Sequence, residues 1–305
     1  SDVMERALYN TVLAGMAADG KSFFYVNPLE VYPKACHEDA RKFHVKPIRQ
    51  KWFGCACCPP NIARLLSSLA MYAYTENEDT LFAHLFVGGS VKKDVNGKEL
   101  SFEVTTDMPW QGTTVYSCTN EQSVHGSLAI RIPEWSRSFK VSGVTGELDE
   151  NSAQLRDGYL YITHDWKKGD TVRIELSMEP EFIAANSEVR EDINKTALRR
   201  GPFIYCLEEA DNGTDLHTLS VCAAAKPETV MLNIAGTDVA ALRIDGKKLI
   251  NVCDSPDVDA ETKTAPLYTT LKKPEYKDVK LTYVPYYAWN NRGEGEMSVW
   301  VNYIL

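Results

Sequence analysis

The chain has no run of 18 apolar residues, no low-complexity tract and no excess of basic charge. The first absence excludes a helix spanning a membrane. Lys and Arg total 33 against 42 Asp and Glu, for a formal charge of -9. Neither nucleic acid nor an anionic membrane surface is therefore an expected partner. A 44% hydrophobic composition describes a globular chain, and 305 residues allow two or three domains. Cysteine is thin outside one place. Cys36, Cys118, Cys206, Cys222 and Cys253 are scattered without paired spacing, as reduced, buried thiols of a cytoplasmic protein would be. No signal peptide is visible, and Ser1-Asp2 leads straight into a helical pattern without an initiator methionine. A processed or excised chain is the expectation. Asn194-Lys195-Thr196 and Asn212-Gly213-Thr214 match a glycosylation sequon, a pattern common enough by chance to be discounted.

What the chain does have is concentrated in Gly54-Cys55-Ala56-Cys57-Cys58-Pro59-Pro60-Asn61, which holds three of its eight cysteines. Ile62, Leu65, Leu66, Leu69 and Met71 follow at near-helical spacing, so residues 60–74 predict an amphipathic or buried helix. Proline suits a first helical turn, which puts Cys57 and Cys58 at or just before a helix start. Free backbone N–H groups and the positive helix end are expected there to lower a thiol pKa. A thiolate is both a nucleophile and a zinc ligand. Adjacent cysteines rarely bond to each other, since the small ring strains the disulfide, whereas two neighbouring sulfurs can share one metal ion. The plainer alternative is a set of small buried hydrophobes at a tight helix entry.

Along the chain, residues 2–18 predict a first helix, with Val3, Met4, Leu8, Val12 and Met16 on one stripe and Gly20 as its stop. A polar loop over residues 32–51 leads to the cysteines. Two helices and a loop are too little to bury their own apolar faces. From residue 76 the period switches to 2, with a hairpin expected over Asn96-Gly97. Short strands without intervening helices predict antiparallel β-sandwiches. The divisions expected are a helical segment at 1–75, a first sandwich at 76–180 and a second at 181–305. Pro285-Tyr286-Tyr287-Ala288-Trp289-Asn290-Asn291-Arg292-Gly293 is a dense aromatic loop. Its rings suit packing between domains better than stacking on a sugar.

Several ordered motifs resemble glycoside hydrolase family 127, the β-L-arabinofuranosidases. They are Glu5-Arg6-Ala7-Leu8-Tyr9-Asn10, Phe24-Tyr25-Val26-Asn27-Pro28-Leu29, Arg49-Gln50-Lys51-Trp52-Phe53-Gly54 with the cysteines, Arg200-Gly201-Pro202, Tyr205-Cys206-Leu207-Glu208 and Pro285-Tyr286-Tyr287-Ala288-Trp289-Asn290. The resemblance runs through the whole chain. It implies a mainly β fold, with two antiparallel β-sandwich domains preceded by the last helices of an incomplete (α/α)6 barrel. It also implies a retaining mechanism in which a zinc-held cysteine thiolate attacks the anomeric carbon of a terminal β-L-arabinofuranoside. Cys57 matches the nucleophile and a zinc ligand, and Cys58 matches a second ligand. The family's other ligands come from an upstream Glu-x-Cys motif, and its acid/base is a glutamate further upstream. No Glu-x-Cys occurs in this chain. The expectation is thus the C-terminal part of such an enzyme, inactive alone because a glycosidase needs both an attacking and a protonating group.

Tyr25, Asn27 and Trp52 are expected to contact an arabinose-containing oligosaccharide, with Arg49 shaping the site. Plainer roles for them are aromatic core and turn. Glu30 is the nearest carboxylate available to line a pocket, although a half-exposed strand residue is the commoner outcome. Cys55, Cys36, His37 and His44 are alternative donors for a zinc site completed within the chain. His84, His125, His164 and His217 are expected on the surface or in the core. A non-catalytic module that binds sugars or dimerises is the competing function. A redox or metal-storage role ranks last, since no repeated cysteine motif accompanies the cluster. Bare helix faces predict a homodimer or association with a missing N-terminal half.

Overall fold

The computed structural model describes residues 1–144, 153–253, 268 and 270–304. The chain divides into two compact units. The first comprises Ser1–Val12, Cys55–Pro180 and Arg200–Phe203. The second comprises Leu13–Gly54, Glu181–Arg199 and Ile204–Leu305.

The β part of the first unit is a sandwich of two five-stranded sheets. One runs in spatial order Tyr74–Glu76, Thr80–Ala83, Val124–Arg131, Tyr159–Trp166, Ala153–Arg156. The other runs Gly89–Val95, Lys98–Thr106, Thr113–Cys118, Thr171–Leu176, Phe139–Gly143. Alternation sets the faces: Val172, Ile174 and Leu176 are buried while the residues between them are exposed. Phe102, Tyr116, Leu128, Ile162 and Trp166 fill the core. The Asn96-Gly97 hairpin forms as expected, with positive φ at both residues (54° and 78°), the turn geometry that matches strand twist. One pair departs from the antiparallel expectation, since Thr80–Ala83 runs parallel to Val124–Arg131.

The second unit departs further. It is built on one ten-stranded sheet instead of two stacked ones. Strands Phe203–Glu208, Leu271–Pro285, Thr237–Cys253, Leu219–Cys222, Val301–Ile304 and Lys195–Arg200 pair in that order. The last pairs back with the first and closes a six-stranded barrel. Closure removes free strand edges. It depends on a parallel pairing of Leu219–Cys222 with Val301–Ile304, which alternation along the sequence cannot reveal. Cys206, Val239, Ala241, Val284 and Met297 are buried in its core. Cys36, Cys118 and Cys206 are free and buried, and Cys222 is free and half-buried. The side chain of Cys253 lies outside the described residues.

The first helix is shorter and looser than its apolar stripe predicts. Asp2–Ala7 is α-helical and Leu8–Val12 is a π-helix. The side-chain amide of Asn10 donates to the Arg6 carbonyl and to the Pro202 carbonyl, both at 2.8 Å. A side chain that takes a helical carbonyl and a tertiary one together favours a widened turn. Met16 forms a bridge with Phe23 instead of a further helical turn, and Val3 stays exposed. Only the middle of the stripe is used, where Leu8 packs with Ala73 and Leu85.

Charge does the remaining work of holding this helix to the sandwich. Arg131 donates to Glu5 Oε1 at 2.5 Å, to Asp2 Oδ1 at 2.6 Å and to the His84 carbonyl at 2.6 Å. Trp135 Nε1 donates to Glu5 Oε2 at 2.8 Å. The Glu5 side chain is 1% exposed and that of Arg131 3%. Burial pushes the Glu5 carboxyl above its ordinary range, and the charge of Arg131 opposes that rise. Breaking such a pair strands a buried charge. Glu5→Leu alone should therefore cost about 3–5 kcal/mol in urea unfolding, and the Glu5→Leu, Arg131→Met double variant should recover much of the loss. A single-variant loss below about 1 kcal/mol would show that the pair does not hold the helix.

Candidate functional site

The cysteine stretch enters a helix, as its prolines predict. Cys58–Ser67 is α-helical with Cys57 at its N-cap, and a second short helix covers Ala70–Ala73. The break falls at Ser68, whose hydroxyl donates to the Arg64 carbonyl at 2.9 Å. No residue of Cys58–Ser67 is buried, and Leu66, Met71 and Tyr72 are exposed. Asn61 donates its side-chain amide to the Cys57 carbonyl at 2.9 Å, which fixes the entry turn.

Cys55 and Cys57 are exposed and Cys58 is half-buried. The Cys57 and Cys58 sulfurs stand 3.9 Å apart. The expected lowering of the thiol pKa is overturned. Hydrogen bonding with Cys55, then with Cys58, pushes the Cys57 thiol up to about 11, and desolvation and the neighbours' charge add to it. The helix does not counter this, for a reason visible in the sequence. Cys57 makes no side-chain cap hydrogen bond. Pro59 and Pro60, which suit the first turn, carry no N–H to offer an anion. Iodoacetamide should accordingly modify Cys57 of the metal-free chain slowly at neutral pH, at a rate that climbs toward pH 11. A rate already level below pH 8 would contradict this environment.

Two thiolates on one tetrahedral zinc stand about 3.8 Å apart, given bonds of about 2.3 Å. The Cys57–Cys58 pair matches that spacing and provides two of four donors. Among the described residues no group of three or more His, Cys, Asp or Glu is placed to hold a metal ion. Cys36 is taken up in the core of the second unit, and His37 is bonded to Glu294 at 2.8 Å. The alternative of a zinc site completed from these residues gains no support.

Cys57 and Cys58 belong to the first unit, and Tyr25, Asn27 and Trp52 to the second. Tyr25 is 50% exposed, Trp52 is 69% exposed, and Asn27 is also exposed. The Tyr25 ring lies 5.7 Å from that of Phe53, which in turn lies 5.1 Å from Phe23. Glu30 is an exposed strand residue paired with Ser298.

Arg49 has a different role from the one the sequence suggested. It is 6% exposed and donates to the Ala14 carbonyl (3.1 and 2.9 Å) and the Trp289 carbonyl (2.8 Å), and its backbone N–H donates to Asn290 Oδ1 (3.0 Å). Its guanidinium lies 4.6 Å over Phe24, which stacks on Trp289 at 4.8 Å. Burial lowers its pKa to about 10. Tyr286 and Trp289 of the aromatic loop are 1% exposed and pack in the core of their own unit. Three of the motifs that carried the resemblance thus meet in one structural cluster.

Models of one family match the chain in sequence. The β-L-arabinofuranosidase GH127 catalytic domain matches residues 1–71, the GH127 middle domain residues 80–178 and the family 127 C-terminal domain residues 180–302. The chain is 36% identical over 310 residues to a non-reducing end β-L-arabinofuranosidase of Bifidobacterium longum subsp. longum, covering 98% of this chain and 44% of that protein. It is also similar to the crystal structure of a GH127 β-L-arabinofuranosidase from Geobacillus stearothermophilus T6 (42% identity, TM-score 0.89, 99% of this chain and 46% of that one). A further solved glycoside hydrolase matches at 29% identity and a TM-score of 0.83, over 100% of this chain and 48% of that one. The chain therefore spans less than half the length of these relatives. With its parts matching the catalytic, middle and C-terminal domains in order, the chain belongs to glycoside hydrolase family 127.

Proposed function

We propose that this chain is the C-terminal part of a retaining β-L-arabinofuranosidase and carries its nucleophile, Cys57, in a site completed by residues outside these 305. The observation that carries the reading is the cysteine pair at a helix start, with Cys57 exposed, inside the segment that matches the family's catalytic domain. On this reading residues 1–75 are the last helices of an (α/α)6 barrel. Leu66, Met71 and Tyr72, now exposed, are the face that the remaining helices cover. Residues 76–180 and 181–305 are the two β domains.

In the proposed reaction the Cys57 sulfur attacks the anomeric carbon as the bond to the leaving oxygen breaks. That oxygen must take a proton from a carboxylic acid on the opposite side. Cys57 and Cys58 would hold zinc with two donors from elsewhere in the protein. When bound, the metal supplies positive charge that favours thiolates at neutral pH. Tyr25 and Trp52 offer exposed ring faces to the apolar side of a sugar, and Asn27 offers an amide to its hydroxyls. The substrate class is a glycan with terminal β-L-arabinofuranosyl groups.

The chain alone should release no nitrophenol from p-nitrophenyl β-L-arabinofuranoside. Turnover should appear when it is combined with a polypeptide supplying the rest of the catalytic domain, and Cys57→Ala should then lower kcat by about 10³-fold or more. Full activity of the isolated chain, or of the Cys57→Ala complex, would refute the assignment.

A further inference from the structure

The sandwich of the first unit has a second feature that the glycosidase reading leaves unused. Its sheet containing Tyr159–Trp166 has one face in the core, through Leu160 and Ile162, and carries a concavity of about 310 Å³ on the other. That is the lower end of the range of small-ligand pockets, roughly 300–1,000 Å³. Strand register builds it. Thr163 lies opposite Ser127, Ser127 beside Thr80, and Gln154 opposite Tyr161. The lining runs from Thr163 to Arg156, which pairs with Tyr159. Tyr159 is the residue that meets Ser1 at the start of the first helix.

The lining has a consistent chemistry. The Arg156 guanidinium lies 3.8 Å over the Tyr161 ring, which holds its planar set of donors in place. Ser127 Oγ and Thr163 Oγ1 share a hydrogen bond at 2.8 Å, and Thr80 Oγ1 donates to Asp79 Oδ1 at 2.8 Å. Donors, acceptors and hydroxyls are thus combined with one positive and one negative group. An anion would meet the Asp79 carboxylate, and a lipid would find no apolar wall. A single carboxylate is too little for a hard cation. A neutral polyhydroxylated ring can both donate to Asp79 and accept from Arg156 and Gln154.

We propose that this face is a carbohydrate-binding site for one neutral sugar residue of a glycan chain, sharing no residue with the cysteine stretch. Weak binding there would raise the effective concentration of a polymeric substrate for a catalytic site on the same protein.

Native affinity electrophoresis of the 305-residue chain tests this without requiring turnover, so its result is independent of the glycosidase reading. Gels contain soluble arabinan, xylan or dextran, with heparin as the charged control. Retardation by at least one neutral polysaccharide is expected. Thr163→Arg, which fills the cavity from an exposed position, and Gln154→Ala should each weaken it at least fivefold with unchanged circular dichroism melts. Tyr161→Phe, which keeps the ring under Arg156, should retain most of it. Migration unaffected by all three neutral polymers, retardation by heparin alone, or equal retardation of the Thr163→Arg variant would overturn the site.

Discussion

The ion pair between Glu5 and Arg131 is the contact on which the first unit depends. A short helix with one usable apolar patch cannot hold itself against a sheet. Two charges taken out of water bind it only if every remaining donor and acceptor is satisfied. Trp135, Asp2 and the His84 carbonyl do that. Asn10 adds a bond to Pro202, and Tyr9 meets Phe203 edge-on at 5.9 Å. The Glu5-to-Asn10 motif is therefore an anchor. Its identity is explained by attachment and needs no chemistry.

Arg49 does the equivalent work in the second unit without a carboxylate bonded to it. Its guanidinium is satisfied by carbonyl oxygens and stacked on Phe24. Arginine suits this position because its planar fork bonds several oxygens at once and is weakly hydrated. Lysine would leave acceptors unmet. The family pattern thus includes residues that hold the chain together, alongside the cysteines at the helix start.

Much of this was legible in the sequence, and what was not has physical causes. The helix start at Cys58, the Asn96-Gly97 hairpin and the alternating strands of the first sandwich follow from local rules that act within a few residues. The closed barrel of the second unit does not, because the pairing of both Lys195–Arg200 and Leu219–Cys222 with Val301–Ile304 is a choice of long-range register. The first helix is shorter than its stripe predicts, because the stripe gives no hint that Asn10 bonds Pro202. The rule that a helix start lowers a thiol pKa does not carry over to a helix whose first turn holds two prolines. The pairing of Glu5 with Arg131 and the sheet-face cavity carry no sequence signal, since their parts are distant along the chain. The candidate site was legible through Cys57 and Cys58, and Tyr25, Asn27 and Trp52 remain proposals from the family pattern.

The central claim is that Cys57 is the sulfur that bonds the sugar. The direct measurement is acid-quenched mass spectrometry of a protein containing these residues together with the rest of the catalytic domain, incubated with an activated aryl β-L-arabinofuranoside. The account predicts one added pentosyl group on the peptide bearing Cys55, Cys57 and Cys58, localised to Cys57 by fragmentation. A turning-over enzyme whose only pentosyl adduct sits on a carboxylate would contradict it.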